Sequence, residues 1–173
     1  MKPSGHFATA AGAAGIAYAA TGSTELAAGT FAGGFLIDVD HYVDYVVFER
    51  QFSLNPFRFL NYYYTHQYSW IVLVLHSYEL MAVLALVATL TGWQWLTGYL
   101  MGAAMHIVFD MIVNGQVHLR DPIRFYSFFY RLGFAFSKKG LVYEPAPVPA
   151  EYPNAKLGVR APKIADRGPR FGD

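Results

Sequence analysis

WQWLTGYLMGAAMHIVFDMIVN, Trp93 to Asn114, carries a single formal charge, Asp110, and one histidine, His106. A run of this length and apolarity suits a helix crossing the roughly 30 Å hydrocarbon core of a bilayer, with Trp93 and Trp95 as interfacial anchors. His106 and Asp110 stand four apart and so share one helix face. The composition agrees with a membrane setting. Of 173 residues, 54% are hydrophobic, 17% aromatic and only 14% charged, against about a quarter charged in an ordinary soluble domain. A net charge of +1 gives no footing for nucleic acid. The absence of cysteine excludes disulfides, thiolate metal sites and a cysteine nucleophile. Any metal would rest on histidine and carboxylate ligands.

Three further apolar segments precede this one. Tyr68 to Thr91 is long enough to span, with Trp70 near its start. Gly5 to Ala20 and Glu25 to Ile37 are shorter and rich in Ala and Gly, and the second can continue helically through His41 toward Phe48. Gly29 and Gly33, four apart, suggest close packing of these two segments as a tight hairpin. A cleaved signal peptide ending near Ala17-Tyr18-Ala19 is the competing reading. The Ala/Gly-rich character and a use for His6 favour retention. Arg120 to Phe136 mixes three arginines with aromatics, as a helix lying on the membrane surface does. The expected fold is an all-α membrane protein: a bundle of about four transmembrane helices, a cytoplasmic amphipathic segment and a flexible C-terminal tail. Residues 1–136 form the membrane domain, and residues 137–173, rich in Pro and Gly, the disordered tail.

Charge placement sets the orientation. With four spans, the N-terminus, the Asp38 to Gln67 connection and the C-terminal region share one side, and every Lys and Arg falls in those three places. By the positive-inside rule that side is the cytoplasm. His6 then opens the first span there, and Asp38, Asp40 and His41 close the second. His76 lies roughly 12 Å into the third helix at 1.5 Å per residue. His106 and Asp110 approach the same level from the fourth. Four segments distant in sequence thus each deliver a histidine to one depth. Ionisable groups inside a membrane are costly and usually mark function. Alone, any one of these histidines reads as a hydrogen-bonded packing residue; their convergence points to a metal. Imidazole and carboxylate suit zinc first, with manganese or iron as alternatives, and the seven candidates, His6, Asp38, Asp40, His41, His76, His106 and Asp110, suffice for one or two ions. Glu79, three residues after His76 on the same face, is the expected general base, and Ser77 a hydrogen-bond donor to a ligand. Asp44, His66 and His118 read as surface residues.

GHF at Gly5, FLIDVDH at Phe35, LHSYEL at Leu75 and GAAMHIVFD at Gly102 resemble the motifs of the YdjM-type membrane-bound metal-dependent hydrolases, a bacterial inner-membrane group. The likeness spans residues 5 to about 135. Ile37 stands where that family usually has proline, and Leu75 where it has threonine, which suggests a divergent branch. The resemblance implies hydrolysis. A more remote likeness, to helical zinc-dependent phospholipases C and single-strand nucleases, points toward phosphoesters. A site opening among headgroups of the cytoplasmic leaflet suits a phospholipid or other amphipathic phosphoester as substrate, with the lipid bilayer as the protein's partner. The alternatives are a non-enzymatic transporter or metal- or proton-binding membrane protein, and a purely structural subunit. A conduit needs polar groups strung across the bilayer, and here they gather at one depth.

Overall fold

The computed structural model describes residues 3–113 and 119–143. Among them the regular structure is helical, apart from isolated antiparallel bridges joining Trp70 to Ser137 and Leu119 to Val142. Helices α1 (Pro3–Thr21) and α2 (Thr24–Phe35) meet at Gly22, whose φ of +68° suits a residue without a Cβ. Ser23 caps α2 by accepting from the Leu26 N–H. The chain then passes through a 3₁₀ turn (Leu36–Asp38) into α3 (Val39–Val47), the helical continuation expected beyond Ile37. Asn55 caps α4 (Pro56–Tyr64), with proline at its first position. Helices α5 (Tyr78–Thr91) and α6 (Gln94–Val113) follow, separated at Gly92 with φ +65°. A 3₁₀ turn (Arg124–Tyr126) and the short helices α7 (Phe128–Gly133) and α8 (Lys138–Leu141) complete the described chain.

Among the described residues α6 is the one helix long and apolar enough to cross a membrane. Helix α5 is equally apolar but has 14 residues. The expected third span, Tyr68 to Thr91, therefore needs correction: its helix begins only at Tyr78. The preceding residues form a strap whose amide groups are claimed by side chains. Glu49 accepts from the N–H groups of Ser69 and Trp70, Asp44 from Val72 and Leu73, and Asp40 from Leu75 and His76. On the opposite edge Arg131 donates to the carbonyls of Val72, Leu73 and His76. Buried backbone groups must be paired. Carboxylates and a guanidinium pair them here more strongly than neutral helical partners would.

Helix α2 packs chiefly on α6, and the glycines explain why. A Cβ at Gly29 or Gly33 would overlap the carbonyls of Trp95 or Tyr99, and one at Gly98 or Gly102 those of Leu26 or Thr30. Two glycine pairs, each four apart, thus let the backbones touch, as small residues do between helices in lipid. The expected partner of Gly29 and Gly33 is the first segment. Their contact is instead with α6, while α1 lies against α2 at Gly34 through Ala10.

The surface helix expected over Arg120 to Phe136 is replaced by a 3₁₀ turn and the short α7. Phe125 and Tyr126 are buried in a core with Ile71, Leu73, Ile107 and Leu141. Arg131 is fully buried, its guanidinium donating to the carbonyls of the strap. Ser137 to Tyr143, at the start of the expected tail, return to this core through Leu141 and Val142. Residues 144–173 lie outside the described residues, as does His118.

Candidate metal centre

The seven candidate side chains arrive on five separate elements. Helix α1 brings His6 and the α2–α3 turn brings Asp38. Helix α3 adds Asp40 and His41, the end of the strap His76, and α6 His106 and Asp110. His6, Asp40, His76, His106 and Asp110 are buried, while Asp38 and His41 are about one-third exposed at 30% and 32% of their side chains.

His76 and His106 decide the chemistry. The His106 ring lies with Nδ1 2.9 Å from the carbonyl oxygen of Gly34. A carbonyl only accepts, so this nitrogen carries a proton, and in the neutral ring Nε2 is left with the lone pair. His76 Nδ1 stands 3.4 Å from Asp40 Oδ2, which likewise favours N–H there. The two Nε2 atoms then face each other at 3.4 Å. Asp38 Oδ1 completes a triangle, 3.3 Å from His106 Nε2 and 3.6 Å from His76 Nε2. Ligands about 2.0–2.1 Å from a tetrahedral zinc are about 3.3–3.4 Å from one another. Three acceptors at that mutual spacing fit a cation between them.

A second triplet adjoins the first. Asp110 reaches His106 Nε2 with Oδ2 at 3.4 Å and His6 Nε2 with Oδ1 at 3.3 Å, and the His6 ring stacks on His106 with centroids 4.0 Å apart. His6, His106 and Asp110 therefore form a second group that could hold an ion, as an alternative to the Asp38–His76–His106 group because both would use His106. His6 Nδ1 is buried without a hydrogen-bond partner among the described residues. His41 stands at the rim, with Nε2 3.9 Å from Asp38 Oδ1 and its ring against Tyr63, whose hydroxyl donates to the His41 carbonyl at 2.7 Å.

Six of the seven expected ligands thus lie in contact around His76 and His106, with His41 beside them. Asp40 sits behind His76 and touches the strap, in the orienting position that carboxylates take toward metal-binding imidazoles. Glu79 stands apart. Its carboxylate accepts from the Ser127 hydroxyl at 2.5 Å and the Phe128 N–H at 2.8 Å, at the N-terminus of α7. Its reach toward the cluster is spent on that cap. Ser77 caps α5 and donates to the Val74 carbonyl instead of to a ligand. Asp44, expected at the surface, is 2% exposed, because the strap folds over it and gives it two N–H donors. His66 is half-buried beside Tyr68. Sequence reasoning misses the Gly34 carbonyl, Tyr63 and Arg131. Only the spacing of Asp40 and Asp44, one helical turn apart, hints that Asp44 faces the same way.

The family model described as YdjM inner membrane protein matches residues 1–159. No curated protein and no solved structure matches the chain.

Proposed function

The chain belongs to the YdjM inner membrane protein family, and from that premise we propose that it is a metal-dependent hydrolase acting on a phosphoester or lipid at the cytoplasmic face of the inner membrane. The observation that carries this reading is the pair of Nε2 atoms held face to face at 3.4 Å with Asp38 Oδ1 beside both. A divalent ion, zinc first, would be held by His76, His106 and Asp38, or by His106, Asp110 and His6, with His41 at the rim. Such a cation supplies Lewis acidity, bringing the pKa of water toward 7 and polarising an ester oxygen. The chain's own residues supply the rest. Gly34 and Asp40 fix the imidazole tautomers. Asp38, the most exposed carboxylate of the group, can take a proton from water at the mouth. Helices α1, α2, α5 and α6 would form the four-helix membrane bundle, α2 and α5 being too short at 12 and 14 residues to cross the bilayer core on their own, with both termini in the cytoplasm.

Lipid is favoured by what borders the mouth. Leu36, Val39 and Val43, on either side of Asp38 and His41, expose 55%, 51% and 43% of their surface. In a membrane protein such residues meet acyl chains, so a substrate can present its ester to Asp38 while its chains stay in lipid. The second triplet supports one alternative, a metal-transit protein, because an ion could pass between two sites that share His106.

Elemental analysis of detergent-purified protein tests the reading, comparing wild type with His106→Ala and Asp38→Ala. Stoichiometric transition metal in the wild type and its loss from both variants is the expected result. A phosphodiesterase and lipase screen then distinguishes hydrolase from transit protein. A wild type without metal after chelator-free purification and supplementation removes the basis of the proposal.

A further inference from the structure

Arg131 lies far from the candidate ligands in sequence, yet it is the largest fully buried side chain among the described residues, at 0% exposure. Burying a guanidinium is costly unless its donors are satisfied. Nε donates to Val72 O at 3.1 Å and Nη2 to Leu73 O at 2.8 Å, while Nη1 donates to His76 O at 3.2 Å and Phe125 O at 2.5 Å. Three of these four acceptors belong to the strap that ends in His76. Among the described residues Arg131 forms no ion pair; Asp40, Glu79 and Asp44 supply the opposing field from a distance.

The strap is held from both edges. Asp44 and Asp40 accept from the N–H groups of Val72, Leu73, Leu75 and His76, so the peptide dipoles point their positive ends at carboxylates and their negative ends at the guanidinium. Leu73, gripped at both its N–H and its carbonyl, has a φ of +45°, a conformation a leucine holds only when its surroundings over-determine it. The carbonyl of His76 itself is one of the four acceptors.

We propose that Arg131 is a positioning residue of the metal centre: by clamping the carbonyl edge of the strap, it fixes the backbone of His76 so that Nε2 meets His106 and Asp38 at ligand spacing. This rests on the metal-centre reading above. It extends the functional unit to α7, which carries the residue that places a ligand 55 positions earlier in the chain. The planar fork of arginine reaches several carbonyls at once, which the point charge of lysine does not reproduce.

The test is Co²⁺ titration of the detergent-purified full chain, read by visible absorption, for wild type, Arg131→Lys, Arg131→Met and His106→Ala, with helix content followed by circular dichroism. The expectation is saturable binding by the wild type and none by His106→Ala. Arg131→Met should bind roughly 10- to 100-fold more weakly with an altered absorption band, the range found when partners behind metal ligands are removed. Arg131→Lys should fall between. A folded Arg131→Met with wild-type affinity and spectrum overturns the assignment. If Arg131→Met does not fold, Asp44→Ala, which loosens the same strap from its N–H edge, decides: unchanged affinity and band overturn it, and weakened binding supports it. A wild type that binds no Co²⁺ refutes the metal-centre reading instead, and the role of Arg131 with it.

Discussion

Gly102→Ala should destabilise the protein and weaken its metal site together. The Cβ of an alanine there would stand 2.6 Å from Gly34 N and 2.9 Å from Thr30 C, and would overlap the Thr30 carbonyl oxygen. The carbonyl oxygen is the nearest atom and sets the shift, so α2 and α6 would have to part by roughly 1 Å or more to restore ordinary van der Waals separation. Overpacking of that kind costs about 1–3 kcal/mol. The same movement acts on Gly34, whose carbonyl holds His106 Nδ1 at 2.9 Å. Stretching that contact past the hydrogen-bond range removes about 1 kcal/mol more and frees the tautomer. The helix propensity gained by replacing glycine, about 0.5–1 kcal/mol, offsets only part of this. Gly12→Ala and Gly15→Ala are the controls, because neither position has an atom within 4 Å of a new Cβ. Thermal unfolding in detergent should show a lowered midpoint for Gly102→Ala and an unchanged or raised one for the controls. Metal retained after dialysis should fall in Gly102→Ala alone. A Gly102→Ala protein as stable and as metal-loaded as wild type would refute the close contact between α2 and α6.

Asp40→Asn should weaken metal binding by roughly 10- to 100-fold, measured by chelator competition, because the carboxylate behind His76 Nδ1 is lost; an unchanged dissociation constant would remove Asp40 from the site. Glu79→Gln should cost about 0.5–2 kcal/mol of stability through the weakened cap of α7 while leaving metal content unaltered, and loss of metal would show that Glu79 belongs to the centre after all. His6→Ala should keep the ion held by Asp38, His76 and His106, so elemental analysis should still find at least one metal per chain; complete loss would make the His6–His106–Asp110 group the primary site.

Much of the site is legible in the sequence because its residues carry chemistry that an apolar chain has little other use for. His6, Asp38, His76, His106 and Asp110 stand out against Ala, Leu and Phe, charge placement predicts one depth for them, and in the structure they meet. The strap is not legible. Tyr68 to Ser77 reads as the first half of a spanning helix by hydropathy, and nothing local to it says otherwise. Its conformation is specified from elsewhere in the chain: the carboxylates of Glu49, Asp44 and Asp40 come from 20 to 36 positions earlier than the amides they accept from. Arg131 comes from 55 to 59 positions later than the strap carbonyls it binds. Gly98 and Gly102 escape notice for a related reason. A glycine pair announces a close contact, but its partner helix is a property of the assembled bundle.

Charge balance ties these parts together. Asp38, Asp40, Asp44 and Asp110 converge on one poorly hydrated region, and Arg131 is the buried guanidinium set against them. Carboxylates so placed need positive charge close by. Protonating both His76 and His106 would supply it, but would set two cationic rings with Nε2 atoms 3.4 Å apart. At an effective dielectric of about 20 that repulsion alone amounts to about 5 kcal/mol, set against the attraction of each ring to the carboxylates 3.3–3.6 Å away. A divalent cation between the same atoms turns the repulsion into shared attraction and meets Asp38 as well. The guanidinium holds the strap at its carbonyl edge and the carboxylates hold it at its N–H edge, and a cation between His76, His106 and Asp38 would offset the carboxylate charge that Arg131 alone does not.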